Sequence, residues 1–187
     1  VTIVGADGTN GVRLRAGTAG VLRNVVITGP EGYSNCLRVG SDSAANAESG
    51  ELSIENSAVA CSEDNNFGSQ AIGSGNVQSW FEGQTGNLTL TASALNLATD
   101  GFTPKSGSPL LGAGGDSSEL DSFFTKTDYI GAFDGDNNWM DGWTVAITPS
   151  FPDDIANALA QGLATDVSAS FPTITDKPVY QLTSDVL

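Results

Sequence analysis

Apolar and polar residues alternate in short runs separated by Gly, Ser, Asn and Asp. In Leu52-Ser-Ile54 and Leu88-Thr-Leu90 every second residue is apolar, the period of a strand that buries one face and shows the other. Leu22 to Ile27 matches Ile54 to Val59, with Asn24 lying over Asn56. The run 50–61 also lies over 86–97, setting Leu52 with Leu88, Ile54 with Leu90, Val59 with Leu95 and Cys61 with Leu97. A shorter element precedes each run: Gly11 to Gly17 resembles Asn35 to Gly40, and Ser69 to Gly73 is a weaker third copy. In this alignment Arg38 stands in the place of Arg15.

The chain therefore reads as three unequal repeats at 10–32, 34–65 and 69–101, each a strand, a Gly/Ser-rich turn, an alternating strand and a polar loop. Regular short strands fit a sandwich or a solenoid. Recurrence of Leu, Ile and Val at equivalent positions favours the solenoid, whose coils would stack them into interior ladders. Stacked Asn24 and Asn56 would bridge successive coils through their side-chain amides.

One helix is predicted, over 150–163. Pro152 suits its first turn, Asp153 and Asp154 complement its dipole, and Ile155, Leu159 and Leu163 make one stripe. Beyond Pro172 and Pro178 an extended arm follows. Its Val179, Tyr180 and Leu182 could add to an edge of their own subunit or of a neighbour.

Composition narrows the partners. The 187 residues hold 22 acidic and 7 basic side chains and no histidine, a net charge of -15 that repels nucleic acid and anionic membranes. No apolar run reaches the roughly 20 residues of a transmembrane span. Val1-Thr-Ile-Val4 reads as a strand already under way, so a processed chain or a fragment is expected. The two cysteines, Cys36 and Cys61, suit a disulfide in an exported protein; two buried thiols are the alternative.

The coil pattern, followed by Gly101 to Gly114, resembles the C-terminal end of a right-handed parallel β-helix of the pectin-lyase-like type. Phe123 to Phe133, with Trp139 and Gly142-Trp143-Thr144, resembles the closing segment of large bacterial surface lipoproteins. The resemblance spans residues 10–145. It implies an all-β parallel β-helix over 1–114, an aromatic and Gly-rich capping segment over 115–145, and the helix and arm over 146–187. It also implies an extracellular or outer cell-surface location.

Candidate chemistry is sparse. Asp134, Asp136 and Asn138 fall at positions one, three and five of an EF-hand loop, and Asp141 could assist. Position six is Trp139 instead of Gly, and position twelve is Val145 instead of Glu. Calcium is the one cofactor this pattern admits; the alternative is a structural turn in which Trp139 and Trp143 close the last coil with Tyr129, Ile130 and Phe133. Arg13, Arg15 and Arg38 could bind an acidic sugar or neutralise nearby carboxylates, and Trp80 could offer a sugar-stacking face. Asp64, Glu82 and Asp100 form no pair of the kind glycosidases use, so no catalytic residue is assigned. The expected function is structural or adhesive, with self-association into filaments or surface assemblies; the alternative is a polysaccharide-binding or polysaccharide-degrading β-helix.

Overall fold

The computed structural model describes residues 1–5, 8, 10–29, 34–136 and 139, with two further short strands at 164–166 and 180–182. The chain divides into two compact units, Val1–Asn138 and Trp139–Leu187.

In the first unit, β1 (Thr2–Val4), β2 (Asn10–Leu14) and β3 (Gly20–Arg23) are followed by β4 (Val26–Thr28) and β5 (Asn35–Val39). Then come α1 (Ala44–Ser49), β6 (Leu52–Glu55) and β7 (Ala58–Ala60). Each strand of the first group pairs in parallel with its successor one repeat later. Ile3 lies beside Ile27, Val12 beside Leu37, and Leu22 beside Ile54. The next repeat opens with a parallel bridge, Leu37 to Phe67. It continues through β8 (Ala71–Ile72), β9 (Gly75–Asn76), α2 (Val77–Glu82) and β10 (Leu88–Thr89). The largest sheet runs β1-β4-β7-β10, all parallel.

The alternation read from the sequence places the core. Leu14, Ile27, Leu37, Ile54 and Val59 share one buried cluster, closed on one side by Phe81 of α2. The largest sheet is buried on both faces. Ile27 and Val59 face that cluster, whereas Val26, Ala58 and Ala60 face a second one with Leu95, Leu110 and Ile130.

Several expectations need correction. Leu88 pairs with Ala58, not with Leu52, so the third repeat is shorter than the apolar match suggested. Arg38 lies beside Arg13, not in the place of Arg15. Phe67, not the stretch 69–73, continues the ladder of β2 and β5, while Ala71–Ile72 turns back antiparallel on Gly75–Asn76.

Asn24 and Asn56 are equivalent in register but do not bridge coils through their amides. Both sit in the left-handed region, at φ 55° and 45°, and Gly86 follows them at φ 68°. Asparagine and glycine tolerate that conformation best, so a backbone corner explains their recurrence. Asn24 turns its amide sideways: its Nδ2 donates to Gly115 O and its Oδ1 accepts from Gly115 N, both at 2.8 Å.

Within residues 115–136, Ile130 joins the cluster on one face of the largest sheet. Ile130 N donates to Leu110 O, and Gly131 N to Asn24 O. Gly131 passes so close that a methyl there would stand 3.1 Å from Val26 Cγ2. Phe133 packs on Phe102 with ring centres 5.0 Å apart, and Tyr129 bridges to Leu111. Trp139 is half exposed; Trp143 lies outside the described residues.

Helices also depart from expectation. The predicted helix at 150–163 lies outside the described residues, but two six-residue helices, α1 and α2, occupy loops read as irregular. Asn76 Oδ1 accepts from Ser79 N while Ser79 Oγ accepts from Asn76 N, a reciprocal cap that starts α2. Gly50, at φ 83°, ends α1. Among the described residues no helix is long and apolar enough to cross a membrane.

In the second unit, β11 (Ala164–Asp166) and β12 (Tyr180–Leu182) pair antiparallel.

Candidate functional site

Strand alternation brings three arginines onto one exposed face. In β2, Val12 and Leu14 turn inward, which puts Arg13 and Arg15 outside; in β5, Leu37 and Val39 turn inward and Arg38 outward. Parallel pairing then sets Arg13 beside Arg38 on neighbouring strands. The three line a groove of about 560 Å³, with Asn35, Ser41, Asp42, Ser69 and Gln70 among its other walls.

Local hydrogen bonds fix the walls. Asp42 Oδ2 accepts from Ala16 N at 2.6 Å, and Ser43 Oγ accepts from Thr18 N at 3.0 Å, tying the turn after β5 to the turn after β2. Asn35 Nδ2 donates to Phe67 O and joins the second repeat to the third. Glycines let the lining side chains pack down on the backbone: a methyl at Gly40 would stand 2.6 Å from Asp42 Oδ1, and one at Gly68 would stand 3.1 Å from Arg38 Cγ.

The contrast with Arg23 shows what is particular about this trio. Arg23 is mostly buried, bonds Glu55 at 2.5 Å and Asp116 O at 2.9 Å, and lies within 3.5 Å of Glu119. Neutralising acidic neighbours is its role. Arg13, Arg15 and Arg38 form no ion pair among the described residues, although the chain carries 22 acidic side chains. Three of its seven cations thus converge on one groove whose described lining holds a single carboxylate, Asp42.

Trp80 is not part of this site. Its indole nitrogen donates to Ala47 O at 3.0 Å, and its ring packs against the core beside α1. Its helical position one residue before buried Phe81 is the reason. Asn35, Ser69 and Gln70, which the sequence reading passed over, belong to the groove, and Gly68 lies buried beneath Arg38. The signal for them was the register: once Leu37 is set against Phe67, Gly68 follows Arg38.

The remaining candidates lie elsewhere. Cys36 and Cys61 form a disulfide, buried, with Cα atoms 6.0 Å apart. Asp134 Oδ1 accepts from Asp136 N at 3.0 Å, forming a local turn. Asn138 and Asp141 lie outside the described residues, and among the described residues no three carboxylate, histidine or cysteine groups gather as a metal set. Tyr180 and Leu182 belong to β12 and pair with Asp166 and Ala164 of their own chain; Val179 lies outside the described residues.

No protein family, curated protein or solved structure matches the chain.

Proposed function

We propose that the chain belongs to an extracellular or cell-surface parallel β-helix protein of adhesive, non-enzymatic role, which holds an acidic polysaccharide in the groove of Arg13, Arg15 and Arg38. The observation that carries the reading is the trio itself: three exposed guanidinium groups, unpaired among the described residues, on adjacent strands of a strongly acidic chain. Guanidinium groups bind carboxylate or sulfate through paired N–H donors. The in-register parallel pairing of successive repeats supports the β-helix, and the disulfide supports an oxidising compartment. Cleavage by paired carboxylates draws no support here, because among the described residues Asp42 is the only carboxylate lining the groove.

Isothermal titration with an oligosaccharide of uronic acids tests the reading. Replacing Arg13, Arg15 and Arg38 together by Ala should weaken binding at least about a hundredfold, if each contact to the anion contributes about 1 kcal/mol or more. All three side chains are exposed, so the fold should survive. Equal affinity of the variant and the native chain would remove the groove as the site.

Assembly is a second reading with its own support. Among the described residues β1, β2 and β3 each pair on one side only, and Val4 and Val21 beside them are exposed. Unpaired strand edges are templates for a further strand.

A further inference from the structure

We infer that the groove is polarised across its strands and takes a glycan in which an anionic sugar is followed by an uncharged one; this rests on the acidic-polysaccharide reading above. The register defines two columns of outward residues. Gly40 N donates to Leu14 O, and Gly68 N to Leu37 O, so the pairing extends one residue past β5 and past the Phe67 bridge. One column therefore reads Arg13, Arg38, Gly68, and the other Arg15, Gly40, with Ser69 and Gln70 following Gly68 along the chain. Charge is confined to the first two strands. The third contributes Ser69 and Gln70, neither of them charged, while Asp42, the one carboxylate among the described lining residues, is held by Ala16 N on the side of the first strand.

Neighbouring strands lie about 4.8 Å apart, so the three ranks span about 10 Å, room for a disaccharide. A carboxylate or sulfate seated over Arg13 and Arg38 can accept from two guanidinium groups at once. The next sugar then lies over the third rank, where the Arg38 stem covers Gly68 and the lining is Ser69 and Gln70. Its hydroxyls can bond Ser69 and Gln70, whose Nε2 already donates to Ala71 O and whose Oε1 is left to accept. A second anionic sugar in that place would find no cation among the described residues of the third strand. The groove thus discriminates against a homopolymer of acidic sugars through missing charge on its third strand.

Two tetrasaccharides at matched ionic strength test this by titration calorimetry: one alternating a uronic acid with a neutral hexose, the other made of uronic acids alone. The native chain should bind the alternating one more tightly. Gln70→Lys places a cation on the third strand and should reverse the preference. Gln78→Lys, on the exposed face of α2, adds the same charge outside the groove and should leave the preference unchanged. A native chain that binds the homopolymer as tightly or more tightly, or a Gln78→Lys shift equal to that of Gln70→Lys, overturns the polarity and leaves the groove itself standing. Binding of neither sugar above the level of the triple-arginine variant overturns the acidic-polysaccharide reading, and the polarity with it.

Discussion

Asn24 does two things at one corner, and they separate experimentally. Its backbone takes φ 55°, and its amide engages both backbone groups of Gly115, with Ser117 Oγ and Thr127 Oγ1 at 3.3 and 3.2 Å from its Nδ2. Asn24→Ala loses both: about 1–2 kcal/mol for a Cβ in the left-handed region, and about 1–2 kcal/mol for the stranded partners. Asn24→Gly keeps the backbone freedom and loses only the amide. Urea denaturation should therefore rank native above Asn24→Gly above Asn24→Ala, with about 2–4 kcal/mol separating the extremes. Equal losses in the two variants would mean that the backbone conformation contributes nothing. The sequence showed that Asn24 and Asn56 were equivalent. It did not show the reason, because a recurring asparagine reads equally as an amide ladder or as a corner, and only φ distinguishes them.

Among the elements, the disulfide joins β5 to the residue just after β7, across 25 positions of chain. It links a strand of the arginine face to a strand of the largest sheet, so it fixes two walls of the same core. In the chain-entropy estimate closing such a loop stabilises by about 3–4 kcal/mol. The double variant Cys36→Ser, Cys61→Ser should lower the denaturation midpoint by a comparable amount, part of it from placing two hydroxyls at buried positions; Cys36→Ala, Cys61→Ala separates that part. Reductant should then have no further effect on either variant. Element pairing was legible where both repeats kept the same length, as for Leu22 and Ile54. It was misread for Leu88, because an apolar match over a longer span outweighed the shorter true register. The helix α2 was readable in principle: Asn76 and Ser79 flank its first turn, and Val77 and Phe81 stand four apart, both buried.

At the scale of the molecule, the net charge of -15 opposes contact between copies, and salt screens it beyond about 10 Å at 0.1 M. If the unpaired edges of β1, β2 and β3 join copies, particle mass by light scattering should rise with protein concentration, and more steeply as salt is added. A monomer mass that holds across both series would sink the assembly reading. The same charge makes the groove conspicuous, since a cationic face on so acidic a body attracts anions only at short range.

The sequence by itself determined which residues turn inward. Alternation with period two is written residue by residue, so the core positions Leu14, Leu37 and Ile54 and the outward arginines follow from it. Its two cysteines, lone and paired in number, anticipated the disulfide. What it left open was which residues meet across repeats, because turn lengths differ from one repeat to the next and a shift of register moves every column. Tertiary structure decided that Arg13, not Arg15, stands beside Arg38, that Trp80 serves the core, and that Gly68 lets the Arg38 stem lie down on the third strand. Register is fixed by the summed packing of the core and the backbone ladders, a property of strands together that no single segment carries.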